Sequence, residues 1–132
     1  MRFLKQWLPV IVWAVVIVSA SSDAFSSDHT RHWLEVLLRR DLPDAVNYGV
    51  RKASHVLEYA VLGALAWRAD RRLALAIGIA LAVASIDELR QTFTLTRTGS
   101  PWDVLLDGCG GTVGAAALRW SKMRAEPVEI EN

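Results

Sequence analysis

The sequence predicts an all-α, polytopic membrane protein in which four helices cross the bilayer. Hydrophobic residues make up 52% of the 132 residues, and they are gathered into four stretches that contain almost no Lys or Arg. Residues 73–84, in the third stretch, have no polar face, whereas a helix of a soluble bundle turns a polar face towards water. A chain of this length forms one domain. We expect that domain to span residues 1–124 and residues 125–132 to form a disordered cytoplasmic tail.

The four hydrophobic stretches are residues 7–20, 53–67, 73–86 and 101–118. With their flanks they give helices of about 16 to 21 residues, whereas a span needs about 20, so the second and fourth must recruit polar flanks or thin the bilayer. The first stretch follows Arg2 and Lys5 and ends in Val18-Ser19-Ala20, which is also typical of a cleavable signal peptide. We expect it to be retained, because three more stretches follow and retention gives an even number of spans.

Basic residues predict the orientation, because positively charged loops stay in the cytoplasm. They form three groups that fall on one side of a four-span protein: Arg2 and Lys5; Arg68, Arg71 and Arg72; Arg119, Lys122 and Arg124. Both termini are then cytoplasmic, and the connections 21–50 and 94–100 face outward. Three tryptophans fall at the inner boundary and one at the outer boundary, as interfacial anchors do: Trp7, Trp67 and Trp120 inside, and Trp102 outside.

The first external connection contains an apolar face. Trp33-Leu34 and Val36-Leu37-Leu38 lie beside Glu35, Arg39 and Arg40. This pattern predicts either a short helix that lies on the membrane surface or a loop helix that covers the bundle.

Ionisable residues on three of the helices predict a polar pocket. Inside a span each costs at least about 2.5 to 3.5 kcal/mol, so a retained one is expected to have a partner or a function. They occur in pairs three or four residues apart, which places each pair on one helical face: His55 with Glu58, Asp87 with Gln91, and Asp103 with Asp107. At a rise of about 1.5 Å per residue, all lie roughly 6 to 12 Å from the predicted outer helix ends. We therefore expect one half-buried pocket that opens to the outside.

The order and spacing of these residues form a longer pattern. It consists of Lys52-x-x-His55-x-x-x-Tyr59, Asp87-Glu88-x-x-Gln91, Arg97, Asp103-x-x-x-Asp107 and the glycines Gly108, Gly111 and Gly114. Over about residues 7–120 the chain thereby resembles the VanZ-like family. The resemblance implies a multi-pass protein of the bacterial inner membrane and, from the family's namesake, a role in resistance to the glycopeptide teicoplanin. Asp107 departs from the family pattern, which more often has Asn, and an acid there could change the charge of the pocket.

Three functions fit such a pocket. The first is a membrane enzyme that acts on cell-envelope lipid or peptidoglycan-linked substrates, with His55 as general base or acid, Asp87 or Glu58 orienting it, and Arg97 holding an anionic group. The second is a non-enzymatic factor that binds lipid head groups or an envelope protein. The third is a small proton-coupled permease subunit. No nucleic-acid partner is expected.

The predicted site residues follow from these hypotheses. For catalysis they are His55, Glu58, Asp87, Gln91, Asp103 and Asp107, and for substrate binding Lys52, Tyr59, Glu88 and Arg97. A divalent metal is a further option, with His55, Glu58, Asp87 and Asp103 as ligands.

Some of these residues also have simpler structural explanations. Ser100-Pro101-Trp102-Asp103 matches a capping box, in which Asp103 closes the start of a helix. Glu58 with Lys52, or Glu88 with Arg97, could be ion pairs that let two helices cross.

The glycine run from residue 108 to 114 resembles a phosphate-binding string, but no strand precedes it, and no nucleotide cofactor is expected. We expect Gly108, Gly111 and Gly114 to be structural, and we expect Gly110 and Gly114, with Gly111 and Ala115 next to them, to let a neighbouring helix approach closely. Cys109, inside the same run, is expected to be a small buried packing residue.

Overall fold

The computed structural model describes residues 2–21, 43–93 and 99–125, and within them it contains four α-helices and no β-strand. The helices are α1 (Arg2–Ala20), α2 (Asp44–Asp70), α3 (Leu73–Gln91) and α4 (Pro101–Ala125). Each contains one of the four predicted hydrophobic stretches. The all-α prediction is therefore confirmed.

Two helices extend well beyond their apolar stretches. α2 has 27 residues and α4 has 25, longer than the sequence suggested. α2 starts at Asp44, so the expected connection 21–50 is wrong over residues 44–50, which form the first turns of the helix. α4 runs to Ala125, one residue into the predicted tail. The rest of that tail, and the surface helix expected around residues 33–40, lie outside the described residues.

The helices alternate in direction. α2 and α4 run parallel, because Lys52 and Asp103, each near the start of its helix, form an ion pair. α1 and α3 run parallel to each other, because Ser21, just after α1, bonds to Asp87 near the end of α3. They run opposite to α2 and α4, because the end of α3 bonds through Glu88 to Ser100, just before α4. The three basic groups therefore lie at one end of the bundle, and the predicted site residues that the structure describes lie towards the other.

α4 is the centre of the packing, with its most extensive contacts on α2 and the next most on α3. A Cβ added at Gly114 would collide with the backbone of Ala60, and one at Gly63 with the backbone of Gly111. Only glycine permits helix backbones to approach this closely. The structural role predicted for Gly111 and Gly114 fits this packing, while Gly108 faces the Leu81 side chain.

One described helix, α1, is long and apolar enough to cross a membrane, over Phe3–Ala20. Only 11% of this segment is buried inside the bundle, although its mean hydropathy is 1.8. The apolar stretches of α2, α3 and α4 are interrupted or flanked by ionisable residues, several of which belong to the predicted site. By length and composition, the described part of the chain thus has one such helix and not four.

Candidate functional site

A polar cavity of about 500 Å³ opens at the end of the bundle where α2 and α4 begin and α3 ends. Residues of all three helices, and Ser100 just before α4, line it: Tyr48, Arg51, Lys52, His55, Glu88, Gln91, Ser100, Trp102, Asp103 and Asp107. Six of these were predicted as site residues: Lys52, His55, Glu88, Gln91, Asp103 and Asp107. Of the three pairs of residues spaced three or four apart, Asp103 and Asp107 both line the cavity, whereas His55 and Gln91 line it without their pair partners.

His55 and Asp107 form the contact in this cavity that is best suited to proton transfer. Nδ1 of His55 lies 3.6 Å from Oδ2 of Asp107, slightly beyond hydrogen-bond distance. The histidine side chain is 22% exposed, and the aspartate side chain 2%. A carboxylate on the Nδ1 side of an imidazole leaves Nε2 as the nitrogen that can exchange a proton with a ligand.

The carboxylate beside His55 was predicted to be that of Asp87 or Glu58, and the structure places Asp107 there instead. The cause is the close packing of α2 on α4. A Cβ at Gly110 would lie 2.6 Å from the backbone oxygen of Val56, so the two helices meet directly beyond the His55–Asp107 contact.

Lys52 and Asp103 form an ion pair at the mouth of the cavity, where their side chains are 28% and 27% exposed. The Lys52 ammonium also lies 5.5 Å from the centre of the Tyr48 ring. The alternative pairing of Lys52 with Glu58 is thus not the one observed. Asp103 does not close a capping box either, since its carboxylate is directed to α2.

Glu88, and not Asp103, accepts the hydrogen bond that caps the start of α4. The backbone N–H of Ser100 donates to Glu88 Oε2 at 2.7 Å, and Gln91 Nε2 lies 3.3 Å from Glu88 Oε1. Ser100 Oγ in turn accepts from the N–H of Trp102 at 3.3 Å. An acid at the end of α3 therefore fixes the start of α4. Arg97, the predicted partner of Glu88, lies outside the described residues.

Asp87 is fully buried and lies behind the cavity, not on its wall. Its Oδ2 accepts from Ser21 Oγ at 2.6 Å and from Gln91 Nε2 at 3.0 Å. Ser21 was not predicted, since it follows the last apolar residue of the first stretch and resembles an ordinary helix-end serine.

Two further bonds attach α1 to the bundle. Trp13 Nε1 donates to the backbone oxygen of Glu58 at 2.9 Å, and an Arg90 guanidinium nitrogen donates to that of Val18 at 2.6 Å. Together with the Ser21–Asp87 bond, they hold the second half of α1 against α2 and α3.

The two remaining predicted residues within the described part of the chain are Glu58 and Tyr59. Glu58 is half-buried and Tyr59 is fully buried, and neither lines the cavity. Sequence reasoning missed Tyr48 and Arg51 as site residues, although each lies four residues before Lys52 or His55 and so shares a helical face with it. That spacing was the signal that could have found them.

The metal hypothesis receives no support from the geometry. Across residues 2–21, 43–93 and 99–125, no three His, Cys, Asp or Glu side chains are grouped in a way that could hold a metal ion. Two of the four expected ligands bond to other groups instead. Asp87 accepts from Ser21 and Gln91, and Asp103 pairs with Lys52.

Cys109 is exposed, so the expectation of a buried packing residue was wrong. Gly108 and Gly110, on either side of it, face the neighbouring helices.

A protein-family model matches most of the chain. The family model described as VanZ/LLP1 matches residues 6–122, a range that includes all the predicted site residues. No curated protein and no solved structure matches the chain.

Proposed function

Because the chain belongs to the VanZ/LLP1 family, we propose that it is an inner-membrane protein that crosses the bilayer four times. Its polar cavity opens at the outer face. There the protein acts on the head group of a lipid-linked or peptidoglycan-linked envelope substrate. The observation that supports this most strongly is the placement of the His55–Asp107 contact in a polar cavity at the end of the bundle opposite the basic residues. Each part of the proposal rests on separate evidence.

The apolar surface of the bundle supports the membrane location. Every helix exposes large apolar side chains: Phe3 is 71% exposed, Leu57 67%, Leu89 62% and Val113 65%. Burying one such side chain is worth roughly 1.5 to 3 kcal/mol, so a surface of this kind is unfavourable in water and suits lipid. Lipid would also explain why most of the apolar α1 segment is not buried by the protein.

The attachment of α1 supports four spans over three. A signal peptide is removed after export and has no need of specific bonds to the mature domain. α1 makes three such bonds through Trp13, Val18 and Ser21, just past its end, one of them to the buried carboxylate of Asp87. We therefore place α1 in the mature protein.

The basic residues support the orientation. Arg68, Arg71, Arg72 and the basic residues at the end of α4 lie at the end away from the cavity. Short basic loops remain on the cytoplasmic side. The cavity then opens at the outer surface, and both termini are cytoplasmic.

The lining of the cavity supports an amphiphilic substrate with a charged, hydrogen-bonding head group. Trp102 is 77% exposed and Tyr48 63%, and such amphipathic rings settle at the boundary between lipid and water. Arg51 and Lys52 offer positive charge to a phosphate, and carboxylates on the other helices accept bonds from hydroxyl groups.

His55 and Asp107 supply the chemistry. His55 would take the proton of a water or hydroxyl group as its oxygen bonds to the phosphorus of the head group, and it would return that proton to the leaving oxygen as the bond from phosphorus to that oxygen breaks. The Asp107 carboxylate would stabilise the imidazolium that forms between these two transfers. A positioned acid–base group of this type contributes about 10² to 10⁴-fold in rate.

The test compares variants of neighbouring residues in cells that lack the chromosomal gene. His55→Gln and Asp107→Asn should abolish the envelope phenotype, measured first as teicoplanin susceptibility and then under detergent and lipid stress, each normalised to the level of the protein in the membrane. Ser54→Ala is the matched control, because this exposed side chain bonds only to its own helix, at the Val50 oxygen. It should keep the full phenotype.

Lys52→Gln separates catalysis from binding. If Lys52→Gln loses the phenotype while His55→Gln keeps it, the cavity binds its partner without acid–base chemistry. A full phenotype in His55→Gln, Asp107→Asn and Lys52→Gln would refute a role for the cavity.

A further inference from the structure

At the basic end of the bundle, two arginines lie against tryptophan rings. The guanidinium carbon of Arg71 lies 4.7 Å from the centre of the Trp67 ring, and that of Arg124 lies 4.7 Å from the centre of the Trp120 ring. Such a contact holds the guanidinium beside the ring, while its N–H groups can still donate two parallel hydrogen bonds to a phosphate. Each pair therefore presents a positioned donor for an anion.

Arg71 has a backbone conformation that favours glycine. It follows α2 with a φ of 63°, and it is the one non-glycine residue with a positive φ in the part of the chain that the structure describes. Helices commonly end on a glycine in this conformation, because a side chain is strained there. The backbone N–H of Arg71 donates to the Trp67 oxygen at 2.7 Å, and the same bond could be made by glycine. The turn itself thus does not account for an arginine at this position.

The two arginines lie at the same level of the bundle. α2 and α4 run parallel, and Ala60 lies opposite Gly114, where the two backbones meet. The same offset along the two helices places Arg71 opposite Ala125, the residue after Arg124. Both guanidinium groups therefore lie at the end of the bundle where α2 and α4 finish.

The charge at this end is mostly positive. Within the described residues one acid, Asp70, lies here, and it pairs with Arg72 at 3.2 Å. The start of α3 is at the same end, and its N-cap residue Arg72 makes no side-chain cap bond, so N–H groups of the first turn remain for an acceptor. Six basic residues of this end are exposed: Arg68, Arg71, Arg72, Arg119, Lys122 and Arg124.

We propose that this basic surface, centred on Arg71 and Arg124, binds the phosphate of an anionic phospholipid head group. Apolar side chains beside the charges favour a lipid over a soluble anion, because Trp120 is 58% exposed and Met123 59%. Tryptophan settles at the boundary between lipid and water, and anionic lipids of the cytoplasmic leaflet attract clustered basic residues. The inference rests on the membrane location proposed above, and not on what the cavity binds.

Thermal unfolding of the purified full-length protein in micelles of a neutral detergent tests the proposal. Phosphatidylglycerol or phosphatidylcholine is titrated into the micelles at an ionic strength of about 0.15 M, which screens charges more than about 8 Å apart. A ligand that binds the folded state alone raises the melting temperature in a saturable way. We expect this rise with phosphatidylglycerol and a clearly smaller one with phosphatidylcholine, which has no net charge.

Arg71→Gly separates the side chain from the turn. Glycine adopts the same backbone conformation without strain, so in phosphatidylcholine this variant should melt at or above the wild-type temperature. It should raise the mole fraction of phosphatidylglycerol needed for the half-maximal effect by about fivefold, the factor that one basic residue contributes near an anionic lipid surface. Arg124→Gln should have a similar effect. Lys5→Gln, the matched control, removes an exposed charge at the same end from α1 and should shift this mole fraction by less than about twofold.

An equal rise with both lipids would overturn the proposal. Equal shifts in Arg71→Gly and Lys5→Gln would also overturn it, because the attraction would then depend on overall charge and not on a positioned guanidinium. So would the same saturable rise with inorganic phosphate in micelles without lipid, since the ligand would then be a soluble anion. None of these results depends on the envelope phenotype, so this proposal and the proposed function can fail separately.

Discussion

Glu88 stabilises a helix to which it does not belong. A capping box normally uses an acid in the first turn of the same helix. Here the backbone N–H of Ser100 is satisfied by Glu88 from the end of α3, which leaves Asp103 available to pair with Lys52. The Glu88 side chain therefore joins α3 to the start of α4 at the wall of the cavity. The capping-box pattern in residues 100–103 alone would assign this role to Asp103, which is wrong.

This arrangement predicts different effects for two substitutions of Glu88. Glu88→Ala leaves the Ser100 N–H without its acceptor and should lower the free energy of unfolding by about 1 to 3 kcal/mol. Glu88→Gln keeps a carbonyl oxygen within reach and should cost clearly less. Thermal unfolding in detergent measures both, with Ser85→Ala as the control, since that exposed hydroxyl bonds within α3. Equal losses for Ala and Gln would show that the charge of Glu88 matters more than the bond.

At the scale of elements, the spacing between α2 and α4 is set by glycine. A methyl group at Gly114 would overlap the backbone oxygen of Ala60, which cannot rotate away as a side chain can. Gly78 of α3 has open space where its Cβ would lie. The two positions are both helical and differ in what surrounds them.

Gly114→Ala should therefore destabilise the protein, by about 1 to 3 kcal/mol or more, as overpacking does. Gly78→Ala should leave it unchanged or stabilise it by up to about 1 kcal/mol, because alanine is the better helix former. The amount of folded protein in the membrane and its melting temperature measure this. If both substitutions shift stability in the same direction, the close contact between α2 and α4 is not as described.

The attachment of α1 depends on a hydrogen bond between Ser21 and Asp87. Ser21→Ala removes a hydrogen bond to a buried carboxylate and should lower stability by about 1.5 to 3 kcal/mol. Ser121→Ala, on an exposed hydroxyl that bonds within α4, should have no effect. If α1 were cleaved as a signal peptide, the intact mass of the purified protein would lack residues 1–20.

For the molecule as a whole, the fold class, the four helices and the gathering of ionisable residues at one end of the bundle could be predicted from the sequence. Apolar stretches and spacings of three or four residues determine these features, because they depend on each helix alone. Contacts between helices depend on how each helix is rotated about its axis and how closely it approaches its neighbour. Asp107 beside His55, Glu88 at Ser100 and the exposed Cys109 are all consequences of that packing.

The sequence also did not predict where the helices begin and end. Hydropathy locates the most apolar part of a helix but not the turns of mixed composition that extend it. α2 therefore begins at Asp44, well before the apolar stretch at residues 53–67. Tyr48 and Arg51 lie before that stretch and were missed as lining residues, although each lies four residues before a predicted site residue.

If the bundle spans the membrane with its cavity at the outer face, a cysteine beside the cavity is accessible from outside the cell and a cysteine at the other end of the bundle is not. Cys109→Ala removes the single native cysteine, and Trp102→Cys or Ser121→Cys then places one at either end of α4, about 28 Å apart at about 1.5 Å per residue. Trp102 lines the cavity, and both positions are exposed. A membrane-impermeant maleimide should label Trp102→Cys in intact spheroplasts, and Ser121→Cys only after permeabilisation. Labelling of Ser121→Cys before permeabilisation, or protection of Trp102→Cys until then, would contradict this orientation of the bundle.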